Sequence, residues 1–241
     1  LRSSGGVWSD VLGGDGMECI INPTNSGVMY ACIQQGELHR STNGGLSFTD
    51  IQNNIPGQPE GSWVTPYALD PQNPATIYAG YDQLWKSTNQ GDTWTSIAST
   101  EQTNNSNKTL VEVAPSDPNV IITGTPIALF KTVNGGASWA AITCPPGYIS
   151  MLEIHPTNPS IIWATNQNYS GAKVYKSTDG GASWTDFSGT LPGLPANCIV
   201  YDKNSNGGLY VGLDVGIYYR DDSMSDWILF SDNLPNVEVW E

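Results

Sequence analysis

One eight-residue pattern, written four times at a fixed interval, limits what this chain can fold into more than any other feature. The clearest copy is Ser177-Thr178-Asp179-Gly180-Gly181-Ala182-Ser183-Trp184. The others run Ser41 to Phe48, Ser87 to Trp94 and Thr132 to Trp139, so copies begin every 45 or 46 residues. A constant period of that size means one supersecondary unit stacked on itself, each unit burying its neighbour's apolar face. The shared form is Ser/Thr-x-Asn/Asp-x-Gly-x-x-Trp/Phe, and each recurring residue has a task in a turn. Asn43, Asn89, Asn134 and Asp179 accept backbone N–H groups, and Ser41, Ser87, Thr132 and Ser177 add a hydroxyl. Gly45, Gly91, Gly136 and Gly181 permit positive φ. Phe48, Trp94, Trp139 and Trp184 cover the hairpin with a large apolar area. All these residues are expected to be structural.

A second marker precedes each box: Asn22-Pro23, Asp70-Pro71, Ala114-Pro115, His155-Pro156 and a degenerate Asp202-Lys203. Proline and Asx residues here are turn chemistry, and a short β run lies on either side of each turn. The unit is therefore four strands, A to D, with the box on the C–D turn. Four antiparallel strands every ~45 residues is the signature of a β-propeller blade. The expected fold is all-β, a propeller with about five full blades in this chain, as part of a larger propeller. The repeats fall at about 12–51, 62–99, 108–143, 148–188 and 196–231 within a single region 1–241, with partial blades at both ends. Trp8-Ser9-Asp10-Val11 reads as a D strand and Val237-Glu238-Val239-Trp240 as the start of an A strand. A fifth box, Arg220 to Trp227, has decayed: it keeps Asp222 and Trp227 but has Met224 in place of glycine. Its blade is expected to persist with a different turn.

These boxes resemble those of the Asp-box, or BNR-repeat, proteins, whose motif sits on the C–D turn of propeller blades. The compound pattern of Pro-x-Asn-Pro, Ile-Tyr-Ala-Gly and Trp-Lys-Ser-Thr is similar to that of secreted bacterial xyloglucanase-like and sortilin-like repeat proteins. The resemblance implies an extracellular or cell-surface location. It does not choose an activity, because the box recurs in hydrolases, receptors and assembly factors.

Composition removes other classes. The formal charge is −14, with nine scattered Lys and Arg residues. Nucleic-acid binding needs clustered cations, so no nucleic-acid partner is expected. No stretch is long and apolar enough to span a membrane as a helix, so no membrane insertion is expected. His39 and His155 lack ligand spacing, and neither metal nor cofactor is expected. Cys19, Cys32, Cys144 and Cys198 read as buried free thiols, with a Cys19–Cys32 bridge as the alternative.

Chemistry belongs on the face opposite the boxes, where the B–C links and the D–A loops vary freely. Trp63, Tyr81, Tyr148 and Tyr169 are candidates to stack on a sugar or on apolar groups of a partner, with Asp82 beside them. A hydrolase would need paired carboxylates, and the available ones are Asp15, Glu18, Glu60, Asp82, Glu101 and Asp214. Asp15, flanked by glycines, is the weak catalytic candidate. The reading is a non-catalytic module of a secreted or cell-surface bacterial protein that binds a glycan or protein partner, alongside further parts of the same polypeptide. The alternatives are a xyloglucanase-like glycoside hydrolase acting on a β-glucan, and a structural or assembly module of a larger surface complex.

Overall fold

A computed structural model describes residues 2–4, 7–98, 106–230 and 237–240. A short hairpin, β1 (Arg2–Ser4) with β2 (Val7–Ser9), precedes five four-stranded antiparallel sheets. Blade 1 is β3 (Gly16–Ile21), β4 (Met29–Ile33), β5 (Leu38–Ser41) and β6 (Thr49–Asp50). Blade 2 is β7 (Tyr67–Leu69), β8 (Ile77–Gly80), β9 (Leu84–Ser87) and β10 (Thr95–Ala98). Blade 3 is β11 (Leu110–Val113), β12 (Ile121–Thr125), β13 (Ala128–Thr132) and β14 (Ala140–Ile142). Blade 4 is β15 (Ile149–Ile154), β16 (Ile162–Asn166), β17 (Val174–Ser177) and β18 (Thr185–Asp186). Blade 5 is β19 (Ala196–Asp202), β20 (Gly208–Leu213), β21 (Ile217–Arg220) and β22 (Ile228–Leu229). In every blade the strands pair in chain order. The fold is the all-β, five-bladed propeller that the repeat predicts.

The apolar interior is not one core. Among the described residues it is four clusters, one at each junction between consecutive blades: Tyr30 with Ile77 and Trp94, Tyr78 with Ile121, Ile122 with Ile162, and Trp163 with Leu209 and Trp227. Strand alternation produces this directly. Successive side chains leave opposite faces of a strand, so each of blades 2 to 4 contributes one face to the junction before it and the other to the junction after.

The boxes sew these junctions together. Within the turn, Ser177 Oγ accepts the Gly181 N–H at 2.8 Å and Asp179 accepts the Ser183 N–H at 2.9 Å. Hydrogen bonds from Ser183 and Ser177 pull the Asp179 carboxyl down to about 2. Sequence reasoning assigned the box aromatic to its own hairpin, yet its indole N–H reaches the preceding blade. Trp94 donates to Ile51 O at 3.1 Å, Trp139 to Ile97 O at 2.7 Å, Trp184 to Thr143 O at 2.8 Å and Trp227 to Phe187 O at 3.0 Å. The box glycine serves the same junction. At Gly181 φ is +93°, and a Cβ there would lie 2.7 Å from Ile142 Cδ1 of the blade before.

The decayed fifth box keeps its tryptophan bond and changes its turn. Asp221, not Asp222, takes over the turn bonds, accepting the Ser223 N–H at 2.9 Å and its hydroxyl at 2.6 Å. Arg220 pairs with Leu209 as Ser177 pairs with Ile162. It therefore occupies the position of the box serine, and its guanidinium lies 4.2 Å above the Phe187 ring. A cavity of about 210 Å³ opens beside it, lined in part by Lys176, Asp222 and Met224.

None of the four cysteines is in a disulfide; Cys32 and Cys198 are buried, Cys144 is half-buried and Cys19 is exposed. Cys19 departs from the expected burial, although its counterpart Cys198 follows the same register shift and is buried.

Innermost strands meet around the centre through side-chain-to-backbone bonds. Tyr67 Oη donates to Glu18 O at 2.8 Å, and Ser150 Oγ to Ala196 O at 2.6 Å. Glu112 accepts the Ile154 N–H of blade 4, and Glu153 accepts the Tyr201 N–H of blade 5. Burial raises both carboxyls; Glu153 also repels Glu112, while Lys203 opposes the shift at each. Glu153 is pushed up to about 7.

Two outcomes follow from this packing. Gly181→Ala should destabilise the chain by about 1–3 kcal/mol, through a strained φ and overpacking against Ile142, read as a fall in thermal midpoint. The Glu153 carboxyl ionises near 4.5 when unfolded and near 7 when folded, so its ionisation opposes folding. Stability should be greatest below pH 4.5 as far as this group is concerned, and fall as pH rises through 7. Glu153→Gln should flatten that slope in midpoints measured from pH 5 to 8.

Candidate functional site

Opposite the boxes, the surface is made by the links from second to third strand and by the loops that enter each first strand. Blade 4 has the longest such link, residues 167–173, and it is folded back onto the entry loop of its own blade. Asn166 does the folding. It is only 1% exposed. Its Oδ1 accepts the Tyr148 N–H at 3.1 Å and the Asn168 N–H at 3.0 Å, while Nδ2 donates to Ala172 O at 2.8 Å. The Gln167 N–H adds a bond to Tyr148 O at 2.9 Å. Gly147 makes room for this arrangement: its φ is +115°, and a Cβ there would stand 2.4 Å from Asn166 Nδ2. A buried side-chain amide so nearly satisfied holds both loops in one conformation.

Each of those loops presents a tyrosine. Tyr148 is 51% and Tyr169 70% exposed. Tyr169 is tethered at its tip, where the hydroxyl donates to Asp214 Oδ2 at 3.1 Å in the next blade. Asn197 Nδ2 holds the other oxygen of Asp214 at 3.2 Å. The bond to Asp214 raises the Tyr169 phenol above its usual range, so the hydroxyl remains a donor. An aromatic ring fixed at the tip and open on its side is a stacking platform that loses little entropy when it binds.

The other predicted residues fall in different places. Trp63 is 60% exposed beside exposed Val64 on the loop entering blade 2, and its carbonyl accepts the Gln35 N–H at 3.2 Å. Tyr81 is fully buried, with its hydroxyl on Gly36 O at 2.6 Å; it braces the junction of blades 1 and 2 and has no surface for a ligand. Asp82 turns its carboxylate to the Gln83 N–H at 2.9 Å. Asp15 and Glu60 are exposed, and Glu101 lies outside the described residues. The two lysines nearest this face point inward. Lys108 is buried with its amine on Asp82 O and Ser106 O, and Lys173 is buried with its amine on Asn168 O. Burial lowers both amines. The surface around Tyr169 thus offers aromatic faces, amides and carboxylates. Among the described residues no group of three or more His, Cys, Asp or Glu side chains is placed to hold a metal ion, and no helix is long and apolar enough to cross a membrane.

Asp214 was legible in the sequence as a carboxylate on this face. Asn166 and Asn197 were not, since each matters only through loops that converge in space. The length of the 167–173 link was the one available signal.

Residues 82–206, half of the chain, match the Sortilin-Vps10 family model, described as sortilin, neurotensin receptor 3. The chain belongs to the Sortilin-Vps10 family. A xyloglucanase from Paenibacillus sp is 24% identical over 270 residues, an alignment that takes in 91% of this chain and 26% of the enzyme. The GH74 xyloglucanase of Xanthomonas campestris shares the fold with a TM-score of 0.72 at 17% identity, over 93% of this chain and 39% of that one. The extracellular domain of a hybrid two component system from B. thetaiotaomicron gives a TM-score of 0.70 at 13% identity, over 100% of this chain and 32% of that one. This Sortilin-Vps10 chain therefore spans between about a quarter and two fifths of the length of these relatives.

If Asn166 organises the site, Asn166→Ala should release both loops while the blades persist. Amide exchange at Tyr148 and Asn168 should quicken by at least about tenfold, with the exchange of β15 and β16 core amides little changed.

Proposed function

We propose that this chain is a non-catalytic module of a secreted or cell-surface bacterial protein, and that it binds a glycan on the face opposite its boxes. One observation carries the reading: the exposed Tyr169 ring, tethered by Asp214 and backed by the Asn166 hub. A sugar needs a flat apolar face for its C–H surface and nearby acceptors for its hydroxyls, and Tyr148, Tyr169 and Asp214 offer both. The relatives include a xyloglucanase and an extracellular domain, which supports both a carbohydrate ligand and an extracellular setting.

The likeness to xyloglucanases favours a second reading, a glycoside hydrolase acting on a β-glucan with Asp15 as a catalytic acid. Such an enzyme would need a second carboxylate about 5–10 Å away. A glycan array followed by calorimetry separates the two. Binding without release of reducing sugar, weakened about tenfold by Tyr169→Ala, supports the module. Sugar release abolished by Asp15→Asn supports the hydrolase. A blank array together with capture of a defined protein partner would leave the interaction or assembly role as the function.

A further inference from the structure

The residue just before each box serine or threonine is basic in blades 1 to 4: Arg40, Lys86, Lys131 and Lys176. Each pairs with the second strand at the same point, opposite Tyr30, Tyr78, Ile122 and Trp163, so the four are equivalent. Two of them close a joint by donating to the fourth residue of the next blade's box. Arg40 donates to Gln90 O at 2.7 Å and Lys131 to Gly180 O at 2.9 Å. Lys86 lies 5.2 Å from the Tyr78 ring centre instead. Lys176 meets the decayed box, and its amine lies 5.4 Å from the Trp163 ring centre and 5.1 Å from that of Phe187.

The joint of blades 4 and 5 also carries a second cation. Arg220 replaces the box serine and lies over the same Phe187 ring at 4.2 Å. A ring attracts a cation electrostatically but offers no lone pair, so it holds both groups and leaves their N–H donors unspent. Among the described residues neither side chain makes a hydrogen bond or an ion pair within 4.0 Å. Both line the cavity of about 210 Å³, whose apolar wall includes Trp163, Phe187, Leu209 and Met224. Trp163 brings one more unused donor, because its Nε1–H is buried without an acceptor. Two carboxylates stand at the same cavity. Asp221 spends its oxygens on the Ser223 N–H and hydroxyl and on the Tyr219 hydroxyl. Asp222 packs on Gly207, where a Cβ would meet its Cγ at 2.5 Å. These carboxylates repel a dianion more strongly than a monoanion.

We propose that the cavity between blades 4 and 5, at the box end of the joint, binds a small organic monocarboxylate with an apolar body. The ligand carboxylate accepts from Lys176 and Arg220, and so takes the part that a box carbonyl plays for Arg40 and Lys131. Its body packs on Phe187, Leu209 and Met224. The site lies on the box face, apart from Tyr169, and does not depend on the glycan reading.

The test titrates benzoate into the 241-residue chain, followed by calorimetry and by the Trp163 indole N–H signal in NMR. Saturable binding with a Kd of about 1 mM or below is expected, and the Trp163 signal should move with it. Lys176→Met and Arg220→Gln should each weaken binding at least about tenfold, while Lys86→Met should leave it unchanged. Arg220→Ser combined with Met224→Gly rebuilds the full box and gives Lys176 the Ser223 carbonyl. That double variant should also bind at least about tenfold more weakly, with a thermal midpoint at or above that of the parent, which separates lost binding from lost folding. Absence of saturable binding, or binding that survives both cation variants, would overturn the proposal. So would equal binding of uncharged benzyl alcohol, tighter binding of inorganic sulfate, or a response at Tyr169 in place of Trp163.

Discussion

The structure depends on a hydrogen bond that leaves its own repeat. In each of the last four boxes the indole N–H crosses to a carbonyl on or just after the outer strand of the blade before. The indole body fills the junction at the same time, so one side chain supplies both apolar burial and a directional bond. The box glycine beside it lets backbone approach where any side chain would collide. The turn is thus built for its neighbour as much as for its own hairpin, and the period of about 45 residues is the spacing at which that contact can be repeated.

This explains why the architecture was readable and the site was not. Strand order, blade number and turn positions follow from residues close in sequence that recur: prolines, Asx residues, glycines and aromatics at fixed offsets. The destination of the indole N–H was not readable, because the accepting carbonyl belongs to a different repeat. The fifth box misled for the same reason. Its Asp222 aligns with Asp179, yet Met224 denies the turn its glycine, and the adjacent Asp221 captures the free N–H groups instead. The candidate site is harder still. Asn166 and Asn197 sit in segments that do not repeat, and their value lies in what the fold brings beside them. Tyr81 and Tyr169 look alike in sequence; one is sealed in a junction and the other stands in solvent.

Electrostatics is divided between the centre and the loop face. Carboxyls of Glu112 and Glu153 are held at the centre by backbone N–H groups and tilted toward their neutral forms. Near the loops, the lysines are the buried groups and the carboxylates the outward ones. A chain with a formal charge of −14 has placed the Lys108 and Lys173 amines as internal props for carbonyls, which leaves hydrogen-bond acceptors facing outward.

Because the apolar interior is four separate slabs, the molecule is held together as a row of nearest-neighbour contacts. The pair Tyr169–Asp214 spans one joint in that row, from the long link of blade 4 to the short turn of blade 5. A ligand seated on Tyr169 and Asp214 together grips both sides of the joint. By reciprocity, the free energy with which it favours the closed joint equals the gain in its own affinity when the joint is already closed. The loop surface and the spacing of two blades are then one mechanical element, and occupancy of the first is felt as stiffness of the second.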